Sequence, residues 1–240
     1  MMGFEVPADK QKLTCVPSVD AAIEHGDVYV DLQPVVELAT GRIHGFEALA
    51  RCKLEALASP LRLFATAIAQ GALDRLGREL RRQSVIAANG ATLFLNVHPA
   101  ELDSDDLADD EDPISAHAGR LVLEVQEASS ILETLRERGI EIALDDFGTG
   151  YSNFGSIAEL DPELVKLDRE VIAGVRIHSR RHQLLTSLAA MCMARGAVVV
   201  AEGVETHDEL IAVMAAGIPL AQGYYLGRPS LTGASTWTLS

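Results

Sequence analysis

The sequence predicts an α/β fold, a closed barrel with one reversed strand. Two observations carry this: eight short apolar, β-branched runs, and Ala-, Leu- and Arg-rich stretches of helical periodicity between most of them. Length adds a third. Closed α/β barrels commonly run ~200–250 residues as a single domain, and the chain has 240. An open doubly wound sheet is the lesser reading.

The runs, in order, are Val28 to Val36, Gly45 to Leu49, Thr92 to Val97, Arg120 to Val125, Glu141 to Leu144, Leu164 to Leu167, Val198 to Ala201 and Leu220 to Gln222. The first two are joined by Leu38-Ala39-Thr40-Gly41-Arg42, too short for a crossover helix, which predicts an antiparallel hairpin. Thereafter strands alternate with expected amphipathic helices at Leu61 to Ala88, Ser129 to Arg138, Ser179 to Arg195 and Asp208 to Ala216. Residues 1–17 read as a frayed lead-in, 18–232 as the domain, and 233–240 as a short polar tail.

Composition narrows the functions. With 48% hydrophobic and 23% charged residues the chain can bury a sizeable core. A net charge of −15 argues against binding to nucleic acid polymers or anionic membranes. No stretch of ~18 apolar residues exists to insert into a bilayer, and Glu5, Asp9, Lys10 and Lys12 interrupt any export signal. Cys15, Cys52 and Cys192 form no metal or disulfide pattern, so a cytoplasmic location is expected. Eight of the acids lie between Glu101 and Asp112, read as a solvated loop without the Gly and Glu register of a calcium loop. Arg75, Arg78, Arg81 and Arg82 read as a solvent-facing helix surface, and His178 with His182 as a solvated pair lacking a third ligand. The glycines between Phe147 and Tyr151 have neither P-loop nor dinucleotide spacing.

The chemistry sits at the strand ends, which in a parallel barrel converge on one mouth. These carry Gln33, Glu47, Asn96, Glu124, Asp145 with Asp146, Lys166 with Asp168, Glu202 and Gln222. Any one carboxylate alone reads as a surface charge. Several drawn together repel, and bound cations relieve that repulsion. Oxygen donors without Cys or His select Mg²⁺ or Mn²⁺, and five carboxylates can hold two ions, the usual arrangement for displacement at phosphorus.

GFEALAR at 45–51, LQPVV at 32–36, LNVHP at 95–99, LEVQE at 123–127, LDDFGTGYS at 144–152, VKLD at 165–168, VAEGVET at 200–206 and QGYYLGRP at 222–229 together resemble the EAL-domain family of cyclic di-GMP phosphodiesterases. The resemblance runs from about Ser18 to Pro229. It implies a TIM-like (β/α) barrel with an antiparallel first strand, and hydrolysis of cyclic di-GMP to linear pGpG with two Mg²⁺ or Mn²⁺ ions. It further implies that Glu47, Asn96, Glu124 and Asp145 hold one ion, with Asp145, Asp146 and Glu202 serving the second. Lys166 and Gln222 match positions around the catalytic water, and Gln33, Leu49 and Arg51 match the dinucleotide pocket. Glu127 and Gly148 match the loop beside Asp146, with Asp168 nearby in VKLD.

A homodimer is a family expectation. The alternative is an inactive EAL module that binds cyclic di-GMP or a protein partner. No sensor, receiver or GGDEF segment occurs in the 240 residues, so regulation is expected from a protein in trans, a dimer or further segments. His98 stands where the family usually has a small hydroxyl residue, and Cys52-Lys53 where an aromatic usually follows Arg51.

Overall fold

The structure is a computed structural model that describes residues 16–102, 105–126, 128–149 and 154–232. Most of the expected lead-in and all of the expected tail lie outside them. Eight strands close into a barrel in sequence order: β1 (Val28–Glu37), β2 (Arg42–Cys52), β3 (Thr92–Asn96), β4 (Leu121–Val125), β5 (Glu141–Phe147), β6 (Leu164–Leu167), β7 (Val198–Ala201) and β8 (Leu220–Ala221). β1 runs antiparallel to both β2 and β8, and every other neighbouring pair is parallel. The reversed strand follows from the short connection after β1, because a parallel return needs a crossover of a dozen residues or more.

Helices α1 (Val19–Glu24), α2 (Pro60–Gln70), α3 (Leu73–Ala88), α4 (Ile131–Glu137), α5 (Phe154–Leu160), α6 (Arg169–Ile172), α7 (Arg180–Ala194) and α8 (His207–Ala215) accompany the barrel. The single helix expected over 61–88 is two helices. Gly71, at φ 64°, ends α2 in a left-handed turn that one continuous helix could not contain. The largest apolar cluster joins strands to surrounding helices, and a second ties α1, α2 and α3 to the outer face of the β1–β2 hairpin. Cys52 belongs to that second cluster, so it fills core space behind the hairpin.

The barrel interior is a third cluster: Val35, Phe94, Val122, Ala143, Leu164, Val200 and Leu220, one residue from each strand except β2. On β2 the corresponding residue is Gly45, where a Cβ would lie 2.6 Å from the Thr92 carbonyl oxygen and 3.1 Å from the Phe94 ring. Glycine there leaves the space to the phenyl ring.

Two expectations for the surface are corrected. Arg81 is buried, and so are Glu101 and Asp112 at the two ends of the acidic stretch. Arg81 Nη1 lies 2.5 Å from Glu101 Oε1, and its Nη2 lies 2.8 Å from Asp112 Oδ2. The ends of the loop are therefore pinned to α3, since a buried guanidinium needs partners for its donors. The expected histidine pair is also divided. His178 precedes α7, whereas His182 lies on it with Nε2 3.1 Å from the Ala212 carbonyl.

Candidate active site

Side chains along a strand alternate between faces, so the residue two places beyond each interior residue points the same way and one layer higher. That step converts the apolar layer into a polar one: Phe94 leads to Asn96, Val122 to Glu124, Ala143 to Asp145, Leu164 to Lys166, Val200 to Glu202, and Leu220 to Gln222. Gly45 leads to Glu47. On the reversed β1 the step runs backwards, from Val35 to Gln33, and Gln33 pairs in register with Glu47. Gln33 is thus in mid-strand, because the hairpin projects beyond the mouth and carries Leu49 and Arg51 with it.

Asp145 and Asp146 are neighbours and would ordinarily face opposite ways. The β5–β6 register shifts between Leu144 and Phe147, and Asp146 adopts φ 53°. A bulge of this kind re-aims a side chain, and positive φ in a non-glycine residue is uncommon. Carboxylate oxygens of Asp145, Asp146 and Glu202 consequently lie within 4.8 Å of one another. Gly148 follows at φ 102°, where a Cβ would collide with Val171. Glu127 lies outside the described residues. Asp168 caps α6, its Oδ1 accepting from the Glu170 N–H at 2.6 Å.

Lys166 stands at the centre. Only 1% exposed, its Nζ lies 2.5 Å from Glu124 Oε1, 2.7 Å from Glu202 Oε1, 3.3 Å from Asp145 Oδ1 and 3.7 Å from Glu47 Oε1. Burial alone would depress its pKa, but the surrounding carboxylates, Glu124 first, hold it well above the usual lysine value. Glu47 accepts from Asn96 Nδ2 at 2.8 Å and from Gln222 Nε2, which also reaches Gln33 Oε1 at 3.0 Å. Burial works against the Glu47 charge, yet Lys166 and those amides together keep its pKa below the usual carboxylate value.

Glu124 has the opposite fate: burial, then the Glu47 charge, raises its pKa well above normal, outweighing Lys166. Burial and the charges of Asp145 and Glu47 push Glu202 up to about 8 despite Lys166. Burial, Asp145 and Asp168 raise Asp146.

Five carboxylates against one ammonium leave a formal charge of −4 when all are ionised, which two divalent cations balance. The donors suit such ions, being oxygens throughout. Among the described residues, neither oxygen of Glu124 nor Oδ1 of Asp145 receives a hydrogen bond, although all three are buried. The Lys166 contact with Glu124 is close but off the line of a hydrogen bond. Buried carboxylate oxygens without donors are what a cation would satisfy.

Beside the cluster opens a cavity of ≈ 670 Å³, whose walls include Glu47, Leu49, Arg51, Asn96, Glu124 and Asp145. That size lies within the ~300–1,000 Å³ of small-molecule sites. Arg51 is held by Asp31 at 2.9 Å. The structure also adds residues that the sequence reading did not assign. Gln126 Nε2 donates to Asp146 Oδ2 at 3.0 Å, and the two-residue step from Glu124 already points to it. Asp31 as the partner of Arg51, and the contact of His98 with Phe64, carried no sequence signal.

A closed βα barrel whose mouth is a ring of carboxylates around a lysine defines a class: barrel proteins with an acidic site, of a chemistry that fits a cation, at the C-terminal strand ends. The chain belongs to the EAL-domain family, whose model matches residues 17–229. It is 28% identical over 242 residues to the cyclic di-GMP phosphodiesterase NbdA of Pseudomonas aeruginosa, covering 91% of this chain and 31% of NbdA. Across four curated relatives the chain spans between 28% and 61% of their own length.

Among solved structures, the PaMucR phosphodiesterase in complex with c-di-GMP superposes with a TM-score of 0.77 at 26% identity, covering 88% of this chain and 95% of that one. The calcium/cy-diGMP complex of Klebsiella pneumoniae BlrP1 gives 0.76 at 30% identity, covering 92% and 59%. Among the described residues, no helix is long and apolar enough to cross a membrane.

Proposed function

We propose that this chain hydrolyses one phosphodiester bond of cyclic di-GMP, giving linear pGpG, in the presence of Mg²⁺ or Mn²⁺. The observation that carries the reading is the ring of Glu47, Glu124, Asp145, Asp146 and Glu202 around Lys166, opening onto a cavity of ligand size. Glu47, Asn96, Glu124 and Asp145 would hold one ion, and Asp145, Asp146 and Glu202 the other. The ions, when bound, supply positive charge for the phosphoryl oxygens and lower the pKa of water.

The chain's own groups do the rest. Lys166, its charge secured by its neighbours, donates hydrogen bonds that orient the attacking water. Gln222 and Asn96 fix the orientation of the Glu47 carboxylate between them, and Lys166 together with these amides favours its charged form. Arg51 and Leu49 line the route by which the dinucleotide reaches the cluster. Water oxygen adds to phosphorus, the P–O3′ bond breaks, and the product keeps a 5′-phosphate. NbdA and PaMucR, both named as phosphodiesterases, support this substrate, and the calcium of the BlrP1 complex supports divalent ions in the site.

The test is incubation of the purified chain with cyclic di-GMP and either ion, with products resolved by mass. Formation of pGpG by the wild type and not by Glu47→Gln is the expected result. Binding of the intact dinucleotide with no product under any divalent ion would favour a receptor.

A further inference from the structure

His98 has no part in the chemistry above, yet it lines the same cavity two residues beyond Asn96. It caps a short 3-10 turn: Nδ1 accepts from the Ala100 N–H at 3.1 Å, while the His98 N–H donates to Glu101 Oε2 at 3.2 Å. A ring nitrogen that accepts carries no proton, so the ring proton sits on Nε2. Among the described residues, Nε2 has no hydrogen-bond acceptor. The ring lies nearly parallel to Phe64 of α2, with centroids 6.1 Å and planes 13° apart. Glu101 is in turn gripped by the buried Arg81, which also binds Asp112. The imidazole is therefore presented by an anchored turn, and its donor has a set position.

The cavity has two kinds of wall. The carboxylate cluster and Arg51 provide charge, whereas Pro60, Leu61, Phe64 and Ile68 of α2 provide an apolar surface. A dinucleotide whose phosphate faces the charged end lays a base against the apolar one, where aromatic rings supply a stacking surface. Guanine offers two acceptors, O6 and N7, along one edge, whereas adenine replaces the first with an amino donor. A fixed N–H donor on that wall that meets the 6-position accepts guanine O6 and opposes the adenine amino group.

We propose that His98 is a specificity-determining residue that donates from Nε2 to O6 of a guanine base. The inference rests on the cyclic di-GMP reading of the preceding subsection. The experiment compares wild type, His98→Ala and His98→Asn. Asparagine supplies a side-chain oxygen for the cap but lacks the Nε2–H. KM and kcat are measured for cyclic di-GMP, together with the competitive inhibition constant of cyclic di-AMP.

Loss of one hydrogen bond predicts a KM raised roughly 3- to 10-fold in both variants. kcat stays within about twofold, and inhibition by cyclic di-AMP is unchanged, so the guanine preference shrinks. Wild-type KM and preference in His98→Asn would overturn the proposal. So would a weakening of both nucleotides in His98→Ala that His98→Asn repairs, since that marks the cap alone. A wild type that neither binds nor turns over cyclic di-GMP overturns the functional reading and this inference with it.

Discussion

Replacing Lys166 with methionine keeps nearly the same volume and removes the ammonium that faces Glu47, Glu124, Asp145 and Glu202. Lys166 and Glu124 are almost wholly buried, so the carboxylates cannot recover the lost attraction from water. Removing one partner of a buried ion pair costs about 3–5 kcal/mol. A domain of this length loses roughly 2–4 °C in Tm per kcal/mol, so the metal-free variant should melt about 6–20 °C below the wild type.

The assay is thermal unfolding of chelator-treated protein by circular dichroism at pH 7.5. Two further trends follow from the same charges. The gap narrows as pH falls through about 8, where Glu202 takes up its proton, and narrows again when Mn²⁺ supplies the missing charge. A metal-free Lys166→Met variant melting within about 2 °C of wild type would refute the central placement of the ammonium.

Titration of the cluster gives a second expectation. Glu202 is pushed up to about 8 and Glu124 and Asp146 are raised, so between about pH 4.5 and 8 the native state holds more protons than the unfolded chain. The contribution of these groups to metal-free stability is therefore full below that window and is lost as pH rises through it, while Glu47, lowered, works in the opposite sense. Because ions bind the deprotonated cluster, Mn²⁺ binding at pH 7 should release protons, seen as a buffer-dependent heat in titration calorimetry; a heat independent of buffer would contradict it. Arg81→Met removes the guanidinium that bridges buried Glu101 and Asp112 and should cost about 3–5 kcal/mol in denaturant unfolding. Burial pushes the Cys192 thiol up to about 11, so Cys192 should resist iodoacetamide at pH 8 in the folded protein and react after unfolding, as read by peptide mass.

Much of the site was legible because the barrel repeats one pattern. Leu164 to Leu167 and Val198 to Ala201 occupy the strand bounds read from sequence, since continuous apolar runs between helices leave little choice of register. Two residues past each interior side chain a polar group reaches the mouth, and that step finds Glu124, Lys166, Glu202 and Gln222. Local backbone departures were not legible. The bulge that brings Asp145 and Asp146 to one side extends β5 to Phe147, beyond the expected end at Leu144, and nothing in the alternation announces it.

Long-range pairing was equally hidden. Arg81 sits among arginines at helical spacing, and its partners lie 20 and 31 residues away in a stretch whose composition reads as solvated. Sequence periodicity reports which face of a helix is apolar. It does not report a buried guanidinium that meets two carboxylates from another loop.

The most direct measurement is turnover of cyclic di-GMP after exhaustive chelation, followed by stepwise return of Mn²⁺, in wild type and in Asp145→Asn. Expected are no turnover in chelator, recovery with a cooperative dependence on the ion as two sites fill, and a loss of more than about 100-fold in Asp145→Asn at every Mn²⁺ concentration. Turnover that persists in chelator, or survives in Asp145→Asn, would contradict it.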